Sequence, residues 1–338
     1  MPKEFTINDI AKEARVSKAT VSRVLNDSAS VKRETKERVL KVMADRHFTP
    51  STMARNLSQQ SSNTIGIIVP DIDNPFFGEI LRGVTEIADE CSYTLICCNS
   101  DDSLEKDRKA LMMLKGHRIR GLLYTPAVDY TTKEQRREIG KLLKDLNAPV
   151  VIMDRQADSL DEYDGVFFDD EKGIYEAAMC LIGKGHRKIA LLNATMDRVL
   201  ARTRYRGYEK ALKEAGIPLD RRYVFEGDYH MTKAYQLSRE MLSMEDRPTA
   251  VITGNNRTSL GFLKALYERH ESLPKDIACI GLDRIEALDI IDSKFNYIER
   301  DAKMTEREAI RLLNERIACP DQCLKHIILN PALRIREL

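Results

Sequence analysis

From residue 64 onward, short β-branched runs alternate with amphipathic segments, and this alternation constrains the chain more than any other feature. IGIIVP, YTLICCN, GLLYTP and VVIMD read as strands, with helices over 76–90 and 104–115 among them. After residue 162 the pattern repeats with GVFFD, KIALLN, YVFEG, AVITG and IACIG, separated by helices such as 171–183, 204–215, 232–243 and 256–270. Strands that are apolar throughout and separated by helices form parallel sheets covered on both faces. Two such sets predict an α/β body of two doubly wound lobes, with the chain crossing between them near 161, 291 and 322. Ligands of such sheets bind beyond the carboxyl ends of the strands, here in a cleft between the lobes.

The first 60 residues are of a different kind. Thr6 precedes an apolar face of Ile7, Ile10, Ala11 and Ala14, and Asp9 three residues on supplies an acidic first turn. Arg15 and Val16 form a turn, and Ser17 caps a second helix whose Val21, Val24 and Leu25 face inward. That leaves Lys18, Ala19, Ser22 and Arg23 outward. Lys and Arg bond guanine O6 and N7, and Ala19 can pack on a thymine methyl. Ser17 and Thr20 suit phosphate oxygens. A third helix over 33–46 closes the core with Val39, Leu40, Val42 and Met43. This is an all-α helix-turn-helix head whose second helix enters the DNA major groove. Charge agrees: residues 1–60 hold 12 Lys/Arg against 7 Asp/Glu, and the remainder 42 against 46. A basic head on a mildly acidic body favours a polyanion partner for the head alone.

Residues 50–63 are rich in Ser, Gln and Asn and read as a tether. STMARNL within it can form a short helix with Met53, Ala54 and Leu57 on one side, too short to hold itself in water.

VSKATVSRVLN, ETKERVLKVM and FTPSTMARNLSQQSSNTIGIIVPDIDNPFF together resemble the lactose-repressor (LacI/GalR) family of bacterial transcription regulators. The resemblance spans essentially the whole chain and is strongest over 6–90. It implies that Lys18, Ala19 and Arg23 read bases, with Asn26 and Thr6 near the backbone. It also implies that the hinge segments of two subunits pair in the minor groove, Leu57 acting as the wedge that unstacks a base step, with Arg55 and Ser51 near phosphates. The implied body is periplasmic-binding-protein-like. The domain division is then 1–49 for the head, 50–63 for the hinge, 64–161 with 292–322 for the N-terminal lobe, and 162–291 with 323–338 for the C-terminal lobe. The expected partners are a pseudo-palindromic double-stranded DNA operator, a second copy of the chain and a small-molecule effector, a sugar or derivative.

Candidate effector residues lie at successive strand ends. Asn74 offers donor and acceptor, and Phe76 and Phe77 offer flat apolar faces. Asp154 and Arg155 suit a polyhydroxyl ligand. Arg204, Tyr229 and Asn256 follow at later strand and helix ends. Singly, each aromatic is better explained by the core and each Asp or Arg by a surface ion pair; as a set they favour the cleft. The sequence departs from the family at three places. Asn255-Asn256-Arg257 stands where Asn-Asp is usual, Gly281-Leu282-Asp283-Arg284 where GFDD is, and Tyr297-Ile298-Glu299-Arg300 where T-x-x-Q is. Extra arginines would favour an acidic or phosphorylated ligand if they line the cleft, and lie outside it otherwise; the second placement is the one expected.

Several classes are excluded. No apolar run is long enough to span a membrane, and the start MPKEFTIND carries no signal-peptide core, so a cytoplasmic protein is expected. No G-x-S-x-G, H-E-x-x-H or P-loop is present, and the six histidines are scattered, so neither an enzyme nor a cofactor is expected. A solute-binding component of transport fits the body but not the head. The seven cysteines, with Cys97 and Cys98 in an apolar run, suggest buried reduced thiols, and Cys319 and Cys323 lack further ligands for a metal. Ile80, Leu81, Val84 and Ile87, with Leu111, Met112 and Leu114, are a candidate subunit contact, although the core is an equal alternative.

Overall fold

The structure is a computed structural model that describes residues 6–25, 30–46, 48, 63–157, 159–291 and 293–338. The chain divides into two compact units, Met1–Ser62 and Asn63–Leu338.

The first unit holds α1 (Ile7–Glu13), α2 (Lys18–Leu25) and α3 (Arg33–Asp45). The Asp9 carboxylate accepts the Thr6 backbone N–H at 2.9 Å and closes the start of α1. Arg15 takes a left-handed φ of 54° so that the chain can reverse into α2. Ile10, Ala11, Ala14, Val21, Val24 and Val39 form the core. Arg38 Nε donates to the Ala14 carbonyl at 3.0 Å, tying α3 to the end of α1. Leu40, assigned to this core from sequence, is instead 45% exposed. On α3 it lies one residue past Val39, about 100° around the helix, and so faces outward.

The second unit contains two six-stranded sheets. The first comprises β1 (Thr64–Val69), β2 (Thr94–Asn99), β3 (Gly121–Tyr124), β4 (Val150–Asp154), β5 (Asp164–Phe168) and β11 (His326–Leu329), in the order β11-β5-β4-β3-β1-β2, all parallel. The second comprises β6 (Ile189–Ala194), β7 (Val224–Gly227), β8 (Ala250–Thr253), β9 (Ala278–Leu282), β10 (Asn296–Glu299) and β12 (Ala332–Arg334), in the order β12-β10-β9-β8-β6-β7. Only β12 runs antiparallel. Helices α4 (Pro75–Glu90), α5 (Leu104–Gly116), α6 (Lys133–Asp145) and α12 (Ala302–Ala318) serve the first lobe. Helices α7 (Asp170–Gly183), α8 (Val199–Glu214), α9 (Met231–Leu242), α10 (Asn256–Glu268) and the short α11 (Glu286–Ile290) serve the second.

Each sheet is buried on both faces, which is why its strands read as unbroken apolar runs. Ile67 points to the core that α4 and α12 cover, and Ile68 to the core of α5 and α6. Ile80 and Val84 belong to the first of these cores and Leu111 and Leu114 to the second, all fully buried. They are packing residues on opposite faces of one sheet, which corrects their candidacy as one subunit surface; Met112 is 54% exposed. Cys97 is also exposed rather than buried, because β2 is the edge strand. All seven cysteines are free.

The lobe boundaries differ from those expected. GVFFD, assigned to the second lobe, is β5 of the first sheet, paired with β4 and β11. β10, assigned to the first lobe, belongs to the second sheet. The crossings therefore fall at Asp169, at Arg300–Asp301 and at Asn330–Pro331. A deeply buried Asp164 anchors β5: it accepts two bonds from Arg316 of α12, at 2.8 and 2.9 Å, and one from Lys325 N–H at 2.8 Å. The three crossings lie side by side. Asp169 N–H donates to the Leu329 carbonyl at 3.0 Å, and Glu299 pairs with Ala332.

In the second lobe, glycines let helices touch. A Cβ on Gly207 of α8 would sit 2.2 Å from the Glu171 carbonyl oxygen of α7, and one on Gly261 of α10 2.6 Å from that of Met231. Among the described residues no helix is long and apolar enough to cross a membrane.

Candidate functional site

The outer face of α2 is assembled by its caps. Ser17 Oγ accepts the Thr20 N–H at 3.1 Å and shares a hydrogen bond with Thr20 Oγ1 at 2.9 Å. Both hydroxyls that sequence assigned to phosphates thus already hold the helix start, each keeping further capacity. Val21 and Val24 are buried, whereas Lys18, Ala19 and Arg23 are exposed and Ser22 is half-buried. Thr6 is exposed at the start of α1. Asn26, Ser51, Ala54, Arg55 and Leu57 lie outside the described residues.

In the second unit the cleft candidates converge, but mostly on one another. Asn74 caps α4 by accepting the Phe76 N–H at 3.0 Å, and the same oxygen accepts the Asn256 side-chain amide of the other lobe at 2.9 Å. Asn256 is 1% exposed, and its own Oδ1 has no hydrogen-bond partner among the described residues. Asp154 ends β4 and receives Arg300 Nη1 at 2.5 Å. Arg155 turns the other way, onto Asp102 at 2.5 Å and the Ala127 carbonyl at 2.9 Å. Phe76 and Phe77 are both core, edge-to-face with centroids 5.2 Å apart. Phe76 also lies against the Arg300 guanidinium, 4.1 Å from its ring centre.

Arg204 is 2% exposed and is held entirely within the second lobe. It donates to the Gly254 carbonyl at 2.7 Å and to Asp170 at 3.1 Å, and stacks 5.1 Å from the Tyr229 ring centre. Burial raises the Asp170 carboxyl above its ordinary value, and the Arg204 charge opposes without cancelling it. Tyr229 donates to Asn193 at 2.7 Å, and burial raises its phenol. A small cavity remains, lined by Ala127, Asp129, Arg155, Gln156, Arg198 and Tyr229 among others. The Arg198 side chain makes no hydrogen bond or ion pair among the described residues, although its charge, after those of Arg202 and Arg155, favours ionised Asp129. Burial is the larger effect on Asp129 and raises it, against the Val199 N–H that donates from the other lobe at 2.8 Å.

Three cleft residues at strand ends, Asp154, Tyr229 and Asp283, sit at left-handed φ values of 63°, 69° and 71°. Non-glycine residues rarely take this conformation, and it clusters where function over-determines the backbone. Sequence reasoning missed Asp283, Asp170, Asp102 and Asp129, and it placed the extra arginines outside the cleft. Arg284 is outside, paired with Asp289 at 2.6 Å. Arg300 is inside. Arg300 was visible only as a departure from the family motif, and Asp283 only as the residue that keeps the first Asp of GFDD.

A helix-turn-helix head on the same chain as a two-lobed, ligand-cleft body defines a DNA-binding regulator linked to a small-molecule binding fold. Residues 6–51 match the model of bacterial regulatory proteins, lacI family, and residues 62–292 that of periplasmic binding proteins and sugar binding domain of LacI family. The chain is 34% identical to the HTH-type transcriptional repressor PurR of Mannheimia succiniciproducens, over 98% of both chains. It superposes with a TM-score of 0.82 and 25% identity on the Lac repressor dimer bound to operator and the anti-inducer ONPF, covering 99% of this chain and 98% of that one. A LacI family transcriptional regulator from Enterococcus faecium with bound ribose matches at 28% identity and a TM-score of 0.69, covering 80% of this chain and 97% of that one. The chain belongs to the LacI family of bacterial transcription regulators, which are not enzymes.

Proposed function

We propose that the chain is a repressor that binds a pseudo-palindromic operator as a homodimer in the cytoplasm. Lys18, Ala19 and Arg23 read bases; Thr6, Ser17, Thr20, Ser22 and Asn26 hold the head on the backbone. Leu57, with Ala54 beside it, engages the minor groove, and Ser51 and Arg55 approach phosphates. The observation that carries this reading is the division of α2, with Val21 and Val24 buried and Lys18, Ala19 and Arg23 exposed. Arg23→Ala is expected to weaken operator binding by about 1–3 kcal/mol and relax preference at one base pair. Unchanged selectivity in a binding-site selection would remove Arg23 from base readout.

The body responds to a small polar effector, a sugar or sugar derivative, held at the cavity of Arg155, Arg198 and Tyr229. The ribose bound to the Enterococcus faecium relative supports a sugar. The unpaired Arg198 beside Arg155 favours a phosphorylated one. A thermal-shift screen of sugars, sugar phosphates and nucleosides tests this, since an occupied site raises the midpoint with ligand concentration. A response confined to nucleosides, or to none of the three, would refute the sugar assignment.

A further inference from the structure

Arg300 lies on the second crossing between the lobes, immediately after β10. Its side chain is 3% exposed. Nε and Nη2 fork onto Asp283 of the second lobe at 2.7 and 2.8 Å, and Nη1 reaches Asp154 of the first lobe at 2.5 Å. The Phe76 and Phe168 ring centres lie 4.1 and 5.5 Å away. Two carboxylates and two aromatic rings, at the carboxyl ends of strands from both sheets, form a binding site in their own right. The planar, five-donor guanidinium fills it. In an open α/β fold this is where a free ligand bridges the lobes.

We infer that Arg300 is a tethered occupant of the cleft that sets what the cleft accepts: it bridges Asp154 to Asp283 in place of a small molecule and closes the deep half to neutral polyols. The reading rests on the cleft being the effector site proposed above. The body then reaches its closed form with no ligand bound. The effector is confined to the outer cavity at Arg155, Arg198 and Tyr229. Asn74 with Asn256 and Val199 with Asp129 also join the lobes through single hydrogen bonds, and Arg257 with Asp71 and His230 with Asp102 through longer contacts of 3.9 and 3.6 Å made by more exposed side chains. The Asp154–Arg300–Asp283 bridge is the strongest of the ties.

The test uses the full chain. Arg300→Ala leaves a guanidinium-shaped hole facing two carboxylates. It is expected to lower the thermal midpoint by several degrees and to raise the radius of gyration measured by small-angle scattering. Millimolar N-ethylguanidine is expected to restore both saturably in Arg300→Ala, whereas sodium chloride at equal ionic strength restores neither and wild type responds to neither. A folded Arg300→Ala that keeps the wild-type radius, or that ignores N-ethylguanidine, overturns the inference. Asp154→Gly supplies an independent reading if Arg300→Ala does not fold. It deletes only the arm to the first lobe, and glycine accepts the left-handed φ of 63° at that position. Opening is expected, and an unchanged radius overturns the inference. Neither readout involves the effector, so failure here leaves the effector-site reading to the thermal-shift screen of sugars, and a screen without a sugar response leaves this bridge standing.

Discussion

Replacing Arg204 by Met tests whether this arginine serves the lobe or the ligand. Met keeps the apolar stem and removes the charge. Asp170, 2% exposed, then stays buried without its paired cation, with Arg300 acting on it only through space, and the Gly254 carbonyl loses its donor. Breaking a buried pair by deleting one partner costs about 3–5 kcal/mol. Against a total stability of about 5–15 kcal/mol, that is a large fraction. Arg204→Met combined with Asp170→Asn removes both charges, and most of the loss is expected to return, giving a coupling energy of roughly 2–3 kcal/mol. Burial already raises Asp170 when Arg204 is present, so without Arg204 its folded pKa rises further. Protonation then relieves the buried charge below that value and is lost above it, so the Arg204→Met deficit grows as pH rises. Urea unfolding of the four proteins of the cycle at two pH values is the assay. A single-mutant cost below about 1 kcal/mol, or a coupling energy near zero, would show that the pair does not hold the lobe.

Asp107 predicts a second pH dependence. It accepts from Ala127 N–H at 3.0 Å, Tyr124 at 2.9 Å and Tyr130 at 3.1 Å, yet burial pushes its carboxyl up to about 6 from an ordinary 3.8. Its contribution to stability is full below the unfolded value and is lost as pH rises through the folded one, on the order of 3 kcal/mol in all. Asp107→Asn should flatten unfolding free energy across that interval, and an unchanged slope assigns the dependence elsewhere. Gly207→Ala forces a methyl against the Glu171 carbonyl, so α7 and α8 must part; an overpacking loss of about 1–3 kcal/mol should lower the thermal midpoint, and an unchanged midpoint rejects the close approach.

The strands and helices of the body were readable because both faces of each sheet are covered, so β1 and β4 carry apolar runs with no polar interruption. The sheet to which a strand adds was not readable. β5 joins the first sheet through a register with β4 and an Asp164–Arg316 pair separated by 152 residues, and no local pattern encodes that. The candidate site divides the same way. Lys18, Ala19 and Arg23 were legible because a helix of 3.6 residues per turn separates them from Val21 and Val24. Phe77 was not, because an aromatic beside a strand end reads alike whether it faces a ligand or the core. Arg300 stood out as a departure from the family motif, but only its two carboxylate partners, one from each lobe, show that it points inward.

The ribbon of three crossings at Asp169, Arg300–Asp301 and Asn330–Pro331 behaves as a leaf spring in a precision stage. Adjacent leaves are joined edge to edge at Asp169–Leu329 and Glu299–Ala332, so sliding one past another would break these pairings whereas bending them together would not. The body is thereby left one soft coordinate, the angle between its lobes. Occupants of the cleft, tethered or free, that hold the same angle between the lobes are then equivalent in what they set in the body, however unlike their chemistry.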